Sequence, residues 1–292
     1  MNPRSSRSLA LLALLAGLIV ILERATPLCA QTVPVAQSPS AADRPAAVPD
    51  PAFVTRANAT IVHSRKLIDS FFEQTSNVVC TEHISQTVVG KNNKPLYREE
   101  SIFDYQLQSN SRNGSLRLTE IRESRKTAFR DPYKTLLITN GFASMLLVLH
   151  ENYEPSYIFE PLTEETVDGR PVLKVHFKPI PGASSPAAVQ LRGRNYSLQL
   201  KGNIWIDEES GAVVKLISSL DSNLDDLGLR ELQSEIHYSI VEFHSPEEAY
   251  WMPDSAVIDV QTPKQHWRNV HRFTDFRRFR VTTQVDMGEK QP

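Results

Sequence analysis

The chain has 292 residues, 40% of them hydrophobic, with 32 basic and 34 acidic side chains and a formal net charge of -2. That balance argues against nucleic acid as a bulk partner. Two cysteines are too few for a disulfide scaffold, and 11 glycines leave little backbone to cradle phosphate.

Residues 1–30 read as a signal peptide. Arg4 and Arg7 precede an apolar run from Leu9 to Leu22, followed by Pro27-Leu28-Cys29-Ala30 and Gln31. A basic head, a short apolar middle and a small residue at the cut form an export signal. The run is shorter than the roughly 20 residues a bilayer span needs. The mature chain is therefore expected to begin near Gln31 and to be periplasmic or secreted. An uncleaved N-terminal anchor, with Glu23 and Arg24 at its outer edge, is the alternative. Lipidation of Cys29 would need small residues before it, and Thr26-Pro27-Leu28 does not supply them. Cleavage leaves Cys80 without an internal partner, between Val79 and Thr81, where it reads as a small buried hydrophobe.

Residues 31–51 are rich in Pro and Ala and read as a flexible tether. Residues 52–286 read as a single domain and 287–292 as a disordered tail. The spacing predicts a helix over 52–75. Ile61, Ile68 and Phe72, with Val62 and Leu67 beside them, recur at helical period, and Arg65, Lys66, Asp69 and Glu73 fall elsewhere. The mixed charge of the polar face favours packing on a sheet over lying on a membrane.

From Val78 the period becomes two. Strands are predicted over 78–89, 96–107, 115–124, 156–165, 171–179, 197–206, 212–220, 232–243, 256–261 and 271–285. Turn signals stand at Gly90-Lys91-Asn92-Asn93, at 110–114, at Val167-Asp168-Gly169-Arg170 and at 207–211. The Asp-Gly pair is a strong hairpin signal. Short antiparallel strands with tight turns imply a meander that curls into a barrel or half-barrel.

One stretch, 139–150, breaks the pattern. Phe142, Met145, Leu146 and Leu149 lie at helical spacing, with Thr139 or Asn140 as cap candidates. This short apolar helix is expected to plug the curved sheet or to line the mouth of a cavity. A core helix without a cavity is the plainer alternative.

Catalytic signatures are missing from the sequence. It contains no Gly-x-Ser-x-Gly elbow and no Gly-x-x-x-x-Gly-Lys loop. His266 and His271, five apart on a strand, point to opposite faces and make a poor metal pair, as do His237 and His244. The acidic pairs fall mostly at turns, where solvated charge is expected. Residues 264–280 interleave Lys264, Arg268, Arg272, Arg277, Arg278 and Arg280 with Trp267, Phe273, Phe276 and Phe279. Here aromatics are expected to face the core and arginines to face water or acidic headgroups, and as edge-strand arginines to discourage sheet-to-sheet aggregation. No catalytic residue, cofactor or metal is expected.

Gly202-Asn203-Ile204-Trp205-Ile206-Asp207, followed by Ser210-Gly211-Ala212-Val213-Val214, resembles a hairpin of secreted bacterial proteins in the outer-membrane lipoprotein-sorting superfamily, the LolA/LolB/RseB-like group. Val167-Asp168-Gly169-Arg170-Pro171-Val172 is similar to the preceding hairpin of that group. Tyr250-Trp251-Met252-Pro253 and the stretch from Asn269 to Phe276 are similar to its last strands. Val79-Cys80-Thr81-Glu82 resembles the start of the domain. The resemblance covers residues 76–285. It implies a strongly curved antiparallel sheet closed on one side by helices, whose concave face holds acyl chains or senses lipoproteins. It brings no catalytic residues.

The expected protein is mainly β (α+β): a curved antiparallel half-barrel with an N-terminal helix and a short apolar helix over the concave face. Its expected function is non-enzymatic, exported binding of a lipid or acylated partner, such as a lipoprotein, in that face. Phe142, Met145, Leu146, Leu149, Tyr157 and Trp205 are the candidate lining. The first alternative is an envelope protein-interaction or sensor module with a solid core, acting through loops 222–230 and 179–194. The second is an unrecognised hydrolase. A monomer is expected.

Overall fold

The computed structural model describes residues 50–74, 78–112, 115–127, 141–191, 194–244 and 247–278. The leader, the tether up to 49, the cap candidates Thr139 and Asn140, and residues 279–292 lie outside the described residues. Helix α1 runs from Pro51 to Gln74. Asp50 caps it, its carboxylate accepting the Ala52 N–H at 3.0 Å, and Pro51 takes the first helical position, where no N–H is needed. Ala57, Ile61, Ser64, Ile68, Phe71 and Phe72 are buried. Val62, expected beside the buried stripe, instead faces outward at 47% exposure.

Twelve strands follow among the described residues: β1 (Val78–Val89), β2 (Pro95–Arg112), β3 (Ser115–Thr127), β4 (Tyr157–Val167), β5 (Arg170–Pro179), β6 (Ala188–Leu191), β7 (Arg194–Ser197), β8 (Leu200–Asp207), β9 (Val213–Leu220), β10 (Glu231–His244), β11 (Glu247–Gln261) and β12 (His266–Arg278). Ten form one open, antiparallel, curved sheet in the order β3-β2-β1-β12-β11-β10-β9-β8-β5-β4, and β6 and β7 make a separate hairpin. Register shifts at Val79/Thr81, Ile102/Phe103, Pro161/Thr163, Trp205/Ile206 and His237/Tyr238 bend the strands. Asp168 and Gly169 take positive φ of 49° and 78°, as the Asp-Gly signal requires.

The order corrects one expectation. β12 is not an edge strand; it lies between β1 and β11. Its alternation is nevertheless as expected, with Trp267 and Phe273 buried and Arg268 and Arg272 exposed. The edges are β3 and β4, and β4 carries Pro161 beside a register shift, which disfavours further pairing there. The ends of the order have a topological consequence. β3 and β4 are consecutive among the described strands but lie at opposite edges, and residues 141–156, which start beside Glu120 of β3 and lead into β4, run across the sheet.

One apolar cluster draws buried side chains from α1, from the crossing segment and from nine strands of the sheet, including Leu107, Val175, Phe177, Ile204, Leu216 and Ile236, with Leu116 and Leu118 of β3 packed against it. A second cluster, Val172, Trp205 and Val214 with Trp251 against it, lies apart. Trp205 stands between Ile204 and Ile206, both in the main cluster, so strand alternation sends it to the outer face.

Candidate functional site

This crossing segment, 141–156, is a strap. Its centre is a 3₁₀ turn, Ser144–Leu149, rather than the α-helix the spacing suggests. All five residues from Met145 to Leu149 are buried, not only those on one helical face. A 3₁₀ turn between a helix and a sheet presents apolar side chains to both.

Polar contacts fix the strap at its two ends. At the start, Gly141, in the positive-φ region at 103°, donates its N–H to Glu120 Oε1 at 2.9 Å. The Ser144 hydroxyl donates to the same oxygen at 3.4 Å. Tyr238 Oη–H donates to the Phe142 carbonyl at 2.7 Å. At the far end, Asp69 of α1 accepts the Glu151 N–H at 3.3 Å and lies 3.6 Å from His150 Nε2, and Arg65 pairs with Glu154 at 2.6 Å. The strap is thus tied to the sheet by its first turn and to α1 by its last.

Beneath Phe142 lies a buried polar cluster built from three strands. Glu82 (β1) and His271 (β12) have no exposed surface, and His271 Nδ1 meets Glu82 Oε1 at 2.8 Å. Arg122 (β3) grips Glu82 with two donors, Nε to Oε2 and Nη2 to Oε1, the latter at 2.9 Å. Its Nη1 lies 3.7 Å from Glu120 Oε2. The guanidinium also stacks over Tyr105 at 5.0 Å and approaches the Phe142 ring at 5.9 Å. The Phe142 ring lies 4.5 Å from the His271 ring and 5.5 Å from that of Phe273.

The charges respond to this setting. Burial would raise the Glu82 carboxyl, but hydrogen bonds from His271 and Arg122 outweigh it and hold the group below its ordinary value. An ionised Glu82 only accepts, so His271 donates from Nδ1. Burial lowers the His271 imidazole, favouring its neutral form. Burial raises Glu120, against the opposing pull of Arg122 and the Gly141 N–H. Burial, with Glu82 nearby, also pushes the Cys80 thiol far up, which makes it a poor nucleophile.

Of the candidate lining residues, Phe142, Met145, Leu146, Leu149 and Tyr157 come together in the main cluster. Trp205 stands on the other face, its indole N–H donating to Glu165 at 2.7 Å and its ring flanked by Lys174 and Lys215. A depression of about 170 Å³ opens nearby, with Val167, Arg170, Ile240 and Trp251 among its walls. It is smaller than the roughly 300–1,000 Å³ usual for ligand sites. Glu82, Glu120, Arg122 and His271 were not expected to act together. A signal existed in Leu116-x-Leu118-x-Glu120-x-Arg122, where charge continues an apolar face. Their partners lie on strands distant in the chain. Among the described residues no group of three or more His, Cys, Asp or Glu is placed to hold a metal ion. No helix among them is long and apolar enough to cross a membrane.

No protein-family model matches the chain, and no curated protein matches it. Among solved structures, it is similar to a DUF1329 family protein from Desulfovibrio piger, at 11% identity over 80% of this chain and 95% of that one, with a TM-score of 0.43. A LolA superfamily protein from Nitrosomonas europaea is similar at 11% identity over 77% of this chain and 94% of that one, with a TM-score of 0.37. The MucA/MucB complex of Pseudomonas aeruginosa matches at 11% identity over 75% of this chain and 99% of that one, with a TM-score of 0.23. The LolA superfamily is the group that the hairpin motifs resemble.

Proposed function

We propose that this protein is a non-enzymatic, exported binding protein that receives an acyl chain, free or attached to a partner, on the covered face of its sheet. The observation that carries this reading is the strap. Phe142, Met145, Leu146 and Leu149 occupy an apolar face supplied by nine strands of the sheet, yet belong to a short strap, centred on a 3₁₀ turn, that is tied down at its ends. Displacing that segment would uncover an apolar face, including Leu107, Val175, Phe177, Ile204 and Leu216, suited to a hydrocarbon chain. The leader supports an envelope address.

The same packing favours a second reading, an interaction module whose covered face stays filled and whose contacts are made by loops such as 222–230. Native mass spectrometry of the full chain purified from an envelope fraction, followed by titration with palmitate, separates the two. Retained lipid or stoichiometric palmitate uptake supports acyl binding. A lipid-free protein that takes up no palmitate overturns it, and a stoichiometric protein partner would then support the second reading.

A further inference from the structure

The sheet forks between β9 and β10. These strands pair from Gln233, opposite Ser219, to His237, opposite Lys215, and no further. On the other flank, β11 pairs with β12 only from Ser255 onward. Outside those stretches β10 and β11 pair with each other, and among the described residues with no other strand. Ser239–Phe243 therefore turns a backbone edge towards the gap, and no described turn or loop bonds to it there. Val214 and Tyr238 are the first residues past the last β9–β10 pair, and both line the depression of about 170 Å³. The depression opens where the two strands part.

Its walls have a definite chemistry. Val167, Ile240 and Trp251 supply apolar surface, with Ile240 44% exposed. Arg170 lies over the Trp251 ring at 5.5 Å, and its side chain is 47% exposed. Its Nη1 is 3.6 Å from Asp207 Oδ2, and among the described residues the guanidinium makes no hydrogen bond. A stacked guanidinium with donors to spare suits a carboxylate. Asp168, exposed in the hairpin turn, is the acid on the wall. A cavity of about 150 Å³ accepts a benzene-sized group, so the depression has room for one apolar side chain.

We propose that the fork receives the C-terminus of an extended partner peptide. Its last residues pair with the edge of β10, its final apolar side chain fills the depression, and its terminal carboxylate meets Arg170. Strand addition draws affinity from main-chain bonds and specificity from side-chain pockets. Geometry selects a chain end over an internal acidic residue. Neighbouring side chains on a strand point to opposite faces, so an apolar residue and an adjacent acid do not share one small depression. A C-terminal residue carries its side chain and its carboxylate on the same Cα. The depression lies beside the second apolar cluster, apart from the strap, so this inference does not rest on acyl binding.

The test is fluorescence anisotropy on the full chain with four N-terminally labelled hexapeptides of alternating threonine and valine, ending in valine, leucine, isoleucine or phenylalanine. At least one is expected to bind with a Kd below about 1 mM. Its C-terminal amide, which lacks the charge, is expected to bind at least about tenfold more weakly. N-methylation of alternate peptide nitrogens is expected to abolish binding in one of its two registers, the one that bonds to β10. Arg170→Gln is expected to bind acid and amide equally, and Ile240→Asp to bind neither. Asp168→Asn, which suits the positive-φ turn, is expected to bind the acid more tightly because a like charge is gone. Ile240 and Arg170 are exposed, and unchanged melting temperatures check that their variants fold; if Ile240→Asp does not, Arg170→Gln and the N-methyl peptides still decide. The proposal is overturned if none of the four peptides binds, if acid and amide bind equally to the wild type, or if binding survives Ile240→Asp or both N-methyl registers. Weaker binding to Asp168→Asn would point to an amine as the recognised group and overturn it too. Self-association that Ile240→Asp abolishes would make a second copy the occupant, and hexanoate uptake without peptide binding would make it a small acid; either result overturns the peptide.

Discussion

Replacing Phe142 with alanine tests whether the strap is packed as part of the fold. The ring has no exposed surface and touches His271, Phe273 and Arg122. Removing a buried phenylalanine side chain costs about 3–5 kcal/mol, depending on how far the surroundings collapse into the void. Collapse is restricted here. Glu120 holds the Gly141 N–H and Tyr238 holds the Phe142 carbonyl, so the backbone at this position cannot easily sink towards the sheet. Water entering beside Arg122 and Glu120 acts in the other direction, by solvating the charges, and brings the cost towards the lower end. At 2–4 °C per kcal/mol for a domain of this size, the melting temperature should fall by roughly 6–20 °C. Scanning calorimetry measures it, with Val62→Ala as the control. Val62 is 47% exposed on α1, and its replacement should stay within about 0.5 kcal/mol of the wild type. A Phe142→Ala melting temperature within about 2 °C of the wild type would refute the packing described here.

Three other substitutions test contacts described above or in the sheet. Tyr238→Phe leaves the buried Phe142 carbonyl without its donor and should cost about 1–3 kcal/mol in urea unfolding; no change would mean that water replaces the hydroxyl. Gly202→Ala would drive a Cβ into the Ile217 carbonyl oxygen, a backbone atom, and should destabilise by about 1–3 kcal/mol or more, visible as loss of folded protein on expression. Glu82→Gln removes a carboxyl held below its ordinary value of 4.5. Such a group contributes stability above that ordinary value and loses it as pH falls through the folded one. The variant should therefore be less stable near neutrality, by about 3–5 kcal/mol because Arg122 loses the carboxylate that its two donors grip, and should show a shallower acid limb than the wild type. Unfolding free energies measured from about pH 3 to 7 would contradict this if both proteins had the same acid slope.

Much of the sheet was legible in the sequence because its causes are local. Asp168-Gly169 fixes a tight hairpin, and β1 runs over the predicted residues, 78–89. The resemblance motif is explained by architecture. Gly202 allows β8 and β9 to approach closely, and Asp207 Oδ1 accepts the Ser210 N–H at 2.7 Å to close the turn between them. What stayed hidden depends on which strands become neighbours. β12 could not be placed inside the sheet from its own residues, because its partner β1 lies nearly 190 positions earlier; Glu82 and His271 are separated by 189. The parity of His271, opposite to that of His266, was readable, but its partner was not. Trp205 shows a different limit. Its motif marks the hairpin, whereas its face depends on the alternation between Ile204 and Ile206.

The position of β12 also bears on how the chain assembles. It is the last strand described in chain order, yet it fills the gap between β1 and β11. Until it arrives, β1–β3 and the block from β4 to β11 have no direct pairing in the finished sheet, and each presents an open backbone edge where β12 will dock. Any chain in which this keystone-like segment has not docked therefore carries two unpaired sheet edges, a condition open to wrong pairing between chains.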